Sequence, residues 1–178
     1  MKTTKEYLES SLLALGVPLE LWGINQAKTL DHLVKEINDN ECRLVGLERT
    51  IYTVVLDVKY KKFVLHEKEQ IFTTGQYRKR KLPWGSVGEK IRLGEGVLSG
   101  VKRSLKEELG ITFGYGIKLR QVKSVEIVGA SPSYPGLVNT NFQSRFVVTL
   151  PARLYKEEGY VEIQSDKTTY FEWIPRTE

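Results

Sequence analysis

Apolar positions recur at helical spacing twice in the first forty residues. Tyr7, Leu8, Leu12 and Leu15 predict a helix that Thr3 or Thr4 caps and that Gly16 and Pro18 stop. Leu30, Leu33, Val34 and Ile37 fall on one face of a second helix, with Asn25 as its expected N-cap and Asn38-Asp39-Asn40 as its end. From Arg43 the period changes from helical to alternating. Residues 49–59 are rich in Val, Ile, Thr and Tyr, residues 61–67 alternate, and a tight basic turn joins the two as a hairpin. Residues 70–82 are mixed and end in Arg78-Lys79-Arg80-Lys81; a loop with Gly85, Gly88, Gly94 and Gly96 follows. A helix is predicted over residues 97–109 and stopped by Gly110. Strands are expected over 117–128, 142–150 and 170–174, with a loop over 130–140 containing Pro132, Pro135 and Gly136. Strands, then a helix, then strands predict an α/β fold, a mixed sheet with helices packed on it. Residues 1–42 read as an N-terminal helical extension and residues 43–178 as the main domain. Both early helices carry an apolar stripe, to be buried on the main domain or in a homodimer.

Composition narrows the partners. The 178 residues are 40% hydrophobic and 28% charged, an ordinary globular balance. No apolar run reaches the roughly 18 residues of a membrane helix, so no membrane partner is expected. Met1-Lys2-Thr3-Thr4-Lys5-Glu6 has no signal-peptide core behind it, and Cys42 is the single cysteine; both fit a cytoplasmic protein. The formal charge of +5 favours anionic ligands such as nucleotides. That excess is small for a dedicated nucleic-acid binder, so nucleic acid ranks behind nucleotides as the expected partner.

The chemistry concentrates between Gly85 and Ile111. Val97, Val101, Leu105 and Leu109 recur every fourth residue and form the buried stripe of the predicted helix. Arg103, Ser104, Glu107 and Glu108 lie on its other faces, with Ser104 and Glu108 four apart and stacked. Two adjacent carboxylates near a helix C-terminus oppose the macrodipole, and a bound cation would remove the conflict. Oxygen ligands of this kind suit hard ions such as Mg²⁺. Arg103 is placed to hold Glu95 or Glu107 by a forked hydrogen bond. Lys-Glu-Glu-Leu alone is common on solvated helices. The full spacing is much rarer: Glu95, seven residues, Arg103, an apolar residue at 105, Glu107-Glu108, then Gly110-Ile111.

That stretch resembles the Nudix box, Gly, five residues, Glu, seven residues, Arg-Glu-apolar-x-Glu-Glu-x-Gly-apolar. Glu95, Arg103, Leu105, Glu107, Glu108, Gly110 and Ile111 match it in turn. The flanking strands and Phe171-Glu172-Trp173-Ile174-Pro175 extend the resemblance over roughly residues 43–175. Two positions depart. The opening glycine is Glu89, with Gly88 before it, and the glutamate after the box arginine is Ser104.

The resemblance implies a Nudix-like α/β/α sandwich and a metal-dependent hydrolase that cleaves a nucleoside diphosphate linked to another moiety, with Mg²⁺ (or Mn²⁺) as cofactor. It implies Glu95, Glu107, Glu108 and the Gly88 carbonyl as metal ligands, with Arg103 orienting the carboxylates. Glu89 stands as the local substitute for the missing base, beside Glu126, Glu157, Glu158 and Glu162. A hydroxyl at Ser104 replaces an ionised carboxylate in neither role, and losing an essential base typically costs about 10²–10⁴ in rate. The alternative is therefore a catalytically weak or inactive Nudix-like nucleotide-binding or regulatory module. For substrate, Arg78 and Arg80 are candidate phosphate contacts, Trp84 a base-stacking residue, and Tyr134 part of a loop over the pocket. Each of these also reads as ordinary surface or packing. His32 and His66 lack partners at metal spacing and carry no assigned chemistry.

Overall fold

The computed structural model describes residues 2–79 and 85–176. Among them are three α-helices: α1 (Lys5–Ala14), α2 (Leu30–Asn38) and α3 (Val97–Leu109). Nine strands accompany them: β1 (Arg43–Val45), β2 (Glu48–Tyr60), β3 (Phe63–Phe72), β4 (Tyr77–Arg78), β5 (Val87–Ile91), β6 (Lys118–Ala130), β7 (Val138–Thr149), β8 (Tyr160–Ile163) and β9 (Lys167–Pro175). They form one mixed sheet in the order β6-β7-β2-β3-β9-β8, with β1 and β5 paired to β2 and β4 to β3. The α/β class expected from the pattern is the one observed. No described helix is long and apolar enough to cross a membrane.

The chain clusters into two compact units. The first holds the chain up to Thr53 with Lys90–Glu95 and Val125–Gln143; the second holds Val54–Glu89, Gly96–Ser124 and the chain from Ser144.

In the first unit the apolar stripes of α1 and α2 meet. Leu8, Leu12, Leu30 and Leu33 are buried with Trp22 and Tyr134 in one cluster. The inner positions of each stripe are thus buried within the chain, while Tyr7 and Leu15 of the α1 stripe stay exposed. Thr4 caps α1 by accepting from the Tyr7 N–H, as expected. The cap of α2 is Thr29 and not Asn25: Thr29 and His32 close a reciprocal capping box, while Asn25 takes a left-handed φ of 53° in the preceding turn. Tyr134 also departs from expectation. It is fully buried, with its ring centroid 5.1 Å from that of Trp22, so it is a core residue and not part of a loop over a pocket.

In the second unit the sheet registers set which side chains share a face. β3 pairs antiparallel with β9, Leu65 opposite Trp173 and Glu67 opposite Phe171; β8 pairs antiparallel with β9, Tyr160 opposite Phe171 and Glu162 opposite Thr169. Because strand side chains alternate, Leu65, Glu67, Phe171, Tyr160 and Glu162 fall on one face. Leu65, Phe171 and Tyr160 are buried there, and α3 packs on β8. Val101, Leu105 and Leu109 of α3 are likewise buried, each contributing about 1.5–3 kcal/mol by the usual transfer scale. Gly110 ends α3 in the left-handed region at φ 65°, and the Ile111 N–H turns back to the Leu105 carbonyl at 3.0 Å. The box glycine thus has a conformational reason, because a Cβ is strained there. β5 and β8 were not foreseen. β5 occupies part of what reads as a glycine loop, and β8 is only four residues long.

Candidate metal and phosphate site

The acidic pair on α3 splits. Residues 107 and 108 are about 100° apart around a helix, so they cannot share a direction. Glu107 is exposed and accepts from Arg103 Nη1 at 3.1 Å. The same nitrogen lies 3.7 Å from Glu89 Oε1 on β5. Arg103 thereby ties the helix to the strand that carries Glu89.

Glu108 turns the other way and is half-buried. Its carboxyl is held well above the usual carboxylate range by burial, by the charges of Glu162 and Glu89, and to a lesser extent by Glu67, with the Ser104 hydroxyl opposing them. Ser104 is fully buried, and its Oγ is 3.5 Å from Glu108 Oε1. The acids surrounding Glu108 therefore come from β3, β5 and β8, not from its neighbour on α3.

A chain of polar contacts leads outward from Glu67. Buried Gln70 donates through Nε2 to Glu67 Oε2 at 3.3 Å and to Thr169 Oγ1 at 3.4 Å. Its Oε1 accepts from Arg78 Nη2 at 2.5 Å. Arg78 itself is exposed on β4 and lies over the Phe72 ring. Of the expected substrate contacts, Arg80 and Trp84 lie outside the described residues. Tyr134 is a core residue of the first unit, where burial and the neighbouring Glu36 carboxylate push its phenol above its ordinary range.

Glu95 belongs to the first unit and is half-buried; its Oε2 accepts from the Arg92 N–H at 3.0 Å, closing the loop ahead of α3. Gly88 is exposed on β5. Among the described residues no three His, Cys, Asp or Glu side chains stand together at ligating distance, so the expected trio Glu95, Glu107 and Glu108 is not seen assembled. The groups that act on Glu108, three carboxylates and the Ser104 hydroxyl, are oxygen donors of the kind a hard divalent cation takes. Such an ion completes its shell from water and substrate oxygens, as Mg²⁺ commonly does.

Glu67 and Gln70 are the residues that sequence reasoning missed. A signal existed for Glu67, a carboxylate two positions from Leu65 on the same strand face. Glu162 appeared among the candidate bases, but nothing in the sequence ranked it above Glu126, Glu157 or Glu158, all of which are exposed.

No protein-family model matches the chain, and no curated protein matches it. Solved structures do. It is similar to the E. coli dihydroneopterin triphosphate pyrophosphohydrolase at 16% identity, over 70% of this chain and 80% of that one, with a TM-score of 0.44. It is similar to a Nudix-family hydrolase from Clostridium perfringens at 17% identity, over 70% and 80%, with a TM-score of 0.38. It is similar to the C. elegans Ap4A hydrolase at 12% identity, over 71% and 80%, with a TM-score of 0.40. Scores this low decide nothing about activity, which has to be read from the residues of the box.

Proposed function

We propose that this chain is a metal-dependent hydrolase that cleaves a nucleoside diphosphate linked to another moiety, with Mg²⁺ (or Mn²⁺) as its ion. The observation that carries this reading is Glu108, a box carboxylate half-buried on α3 with Glu162, Glu89 and Glu67 acting on it. Like charges so gathered destabilise one another, and a divalent cation reverses the sign of every one of those interactions. Glu108 would hold it, with water and substrate oxygens completing the shell, and Glu95, Glu107 and the Gly88 carbonyl are the further ligands that the box implies. When bound, the ion neutralises phosphate charge and lowers the pKa of a coordinated water.

The chain's own residues have separable tasks. Arg103 fixes Glu89 relative to α3 and keeps Glu107 turned away from Glu108. Gln70 orients Glu67, and Arg78 offers an exposed guanidinium to a phosphate from the far side of Gln70. Glu89 or Glu162 takes the proton of the attacking water, replacing the carboxylate that Ser104 lacks. Tyr7 and Leu15 of the α1 stripe are exposed and leave a surface for the homodimer contact.

One observation favours the weaker alternative, a nucleotide-binding module with little turnover. Ser104 is fully buried, so the box position that normally carries a carboxylate is closed by packing. A screen with Mg²⁺ or Mn²⁺ across nucleotide sugars, dinucleotides, ADP-ribose and capped RNA separates the two. The hydrolase releases a phosphate monoester from one of these and loses that activity in Glu108→Gln. Thermal stabilisation by nucleotide with no product from any of them rejects the hydrolase in favour of the module.

A further inference from the structure

In the second unit, the turn between β2 and β3 carries an aromatic cluster. Tyr155 stacks on Tyr60 with centroids 4.1 Å apart, lies 6.5 Å from Phe63, and tilts against Trp173 at 5.3 Å. Trp173 in turn meets Tyr160 edge-on at 6.2 Å. Tyr60, Phe63, Tyr155 and Trp173 are all half-exposed, unlike the buried apolar core of the same unit.

Lysines cover these rings. Lys61 Nζ lies 5.2 Å from the Tyr60 centroid, Lys62 Nζ 5.8 Å from Phe63, and Lys156 Nζ 5.2 Å from Tyr160. All three lysines are exposed, and among the described residues none of them is in an ion pair. The acids nearest in sequence are Glu157, Glu158 and Glu172. Glu172 alternates with Trp173 and so faces the other side of β9, which leaves two carboxylates against three lysines.

The backbone of the turn adds an independent observation. Lys61 sits at φ 50°, in the left-handed region. Among the described residues the other non-glycine residues with positive φ are Asn25 and Asn40, a residue type that tolerates it. Glycine or asparagine would relax this turn. Lys61 thus holds a sparsely populated backbone conformation at the tip of the aromatic cluster.

We propose that this turn is a binding surface for single-stranded nucleic acid. The lysines over Tyr60 and Phe63 would leave those rings for the phosphates and open their outer faces to unstacked bases, so that rings and three cations together hold a strand without sequence preference. A duplex keeps its bases stacked on one another and cannot use the rings. This surface does not depend on the hydrolase reading.

The test uses the full chain and a fluorescein-labelled oligouridylate, followed by anisotropy across a salt series. Binding is expected to weaken with salt at a slope of about −2, from roughly −0.7 per neutralised phosphate and three cations. The bound strand is expected to quench tryptophan fluorescence, with that quench lost in Trp173→Phe, which keeps a ring. Combined Lys61→Ala, Lys62→Ala and Lys156→Ala is expected to lower affinity at least about 10-fold at low salt. Lys61→Gly is expected to melt at a higher temperature and yet bind more weakly, which separates the charge from the fold. Equal affinity of either folded lysine variant and wild type would overturn the proposal. So would a duplex that binds as tightly, a quench that is absent or survives in Trp173→Phe, or an oligoglutamate peptide that binds this surface as tightly as the strand does.

Discussion

Two carboxylates, one in each unit, sit in opposite electrostatic surroundings. In the first unit Glu36 of α2 is buried among cations: Arg49, itself buried, and the ammonium groups of Lys28 and Lys90, each at 2.7 Å. Burial pushes its pKa up, but Arg49 and Lys90 and the hydrogen bonds from Lys28 and Lys90 outweigh it and bring it down to about 2. In the second unit Glu108 is surrounded by carboxylates, and burial and neighbouring charge act in the same direction. The first acid is satisfied by its own chain and needs nothing added. The second is left in conflict, and folded chains retain such conflicts mainly where a ligand resolves them. On the proposed reading Glu36 is a structural acid and Glu108 a functional one.

Substitutions can break the comparison. The largest effect is expected from Glu108→Gln, a loss of about 10²–10⁴ in turnover of whichever diphosphate the screen identifies. The same variant should melt at or above the wild-type temperature in EDTA, since it removes a crowded charge. A lower melting temperature would make Glu108 a structural acid like Glu36. Glu36→Gln should behave in the opposite way, losing about 3–5 kcal/mol of stability because it leaves Arg49 buried without its counter-charge. Chemical denaturation measures this, and a loss under about 1 kcal/mol would mean that the cluster is not coupled to folding.

The pH dependence sharpens the same point. The folded pKa of Glu36 is depressed, so its contribution is fully present above the unfolded value near 4.3 and is lost as pH falls toward 2. The amount is roughly 3 kcal/mol, and that part of the acid slope should vanish in Glu36→Gln. The smallest effect is expected from Ser104→Glu. It should raise metal-dependent activity while lowering the melting temperature in EDTA, because a fifth carboxylate joins the group around Glu108. No gain in activity, together with an inactive wild type, would favour the binding module.

How much of this was legible in the chain depends on how local the signal is. α3 was legible to the residue, because its stripe, its glycine stop and the box coincide. The hairpin of β2 and β3 was legible because alternation flanks a short basic turn. β5 was not, because Gly88-Glu89-Lys90 reads as loop until β2 supplies a partner. β8 is too short for a period to register. The site shows the same limit. Arg103 and the Glu107–Glu108 pair follow from spacing along one helix. The Arg103–Glu107 pair, four apart on that helix, follows from the same spacing, but that the charges of Glu67 and Glu162 act on Glu108 follows from strand registers that no local pattern encodes. Tyr134 misled for a related reason: a proline-rich loop reads as surface, and only tertiary packing against Trp22 turns its aromatic inward.

The cation-ringed Glu36 bears on how this protein can be shortened. The first forty residues look detachable, two helices ahead of the strands, and an engineer would trim them. A chain begun at Arg43 would lose Glu36 and four of the five leucines buried in the cluster of the first unit, yet keep Arg49 facing a hollow. Such a fragment should be recovered as an insoluble product unless Arg49 is replaced by an apolar residue in the same step.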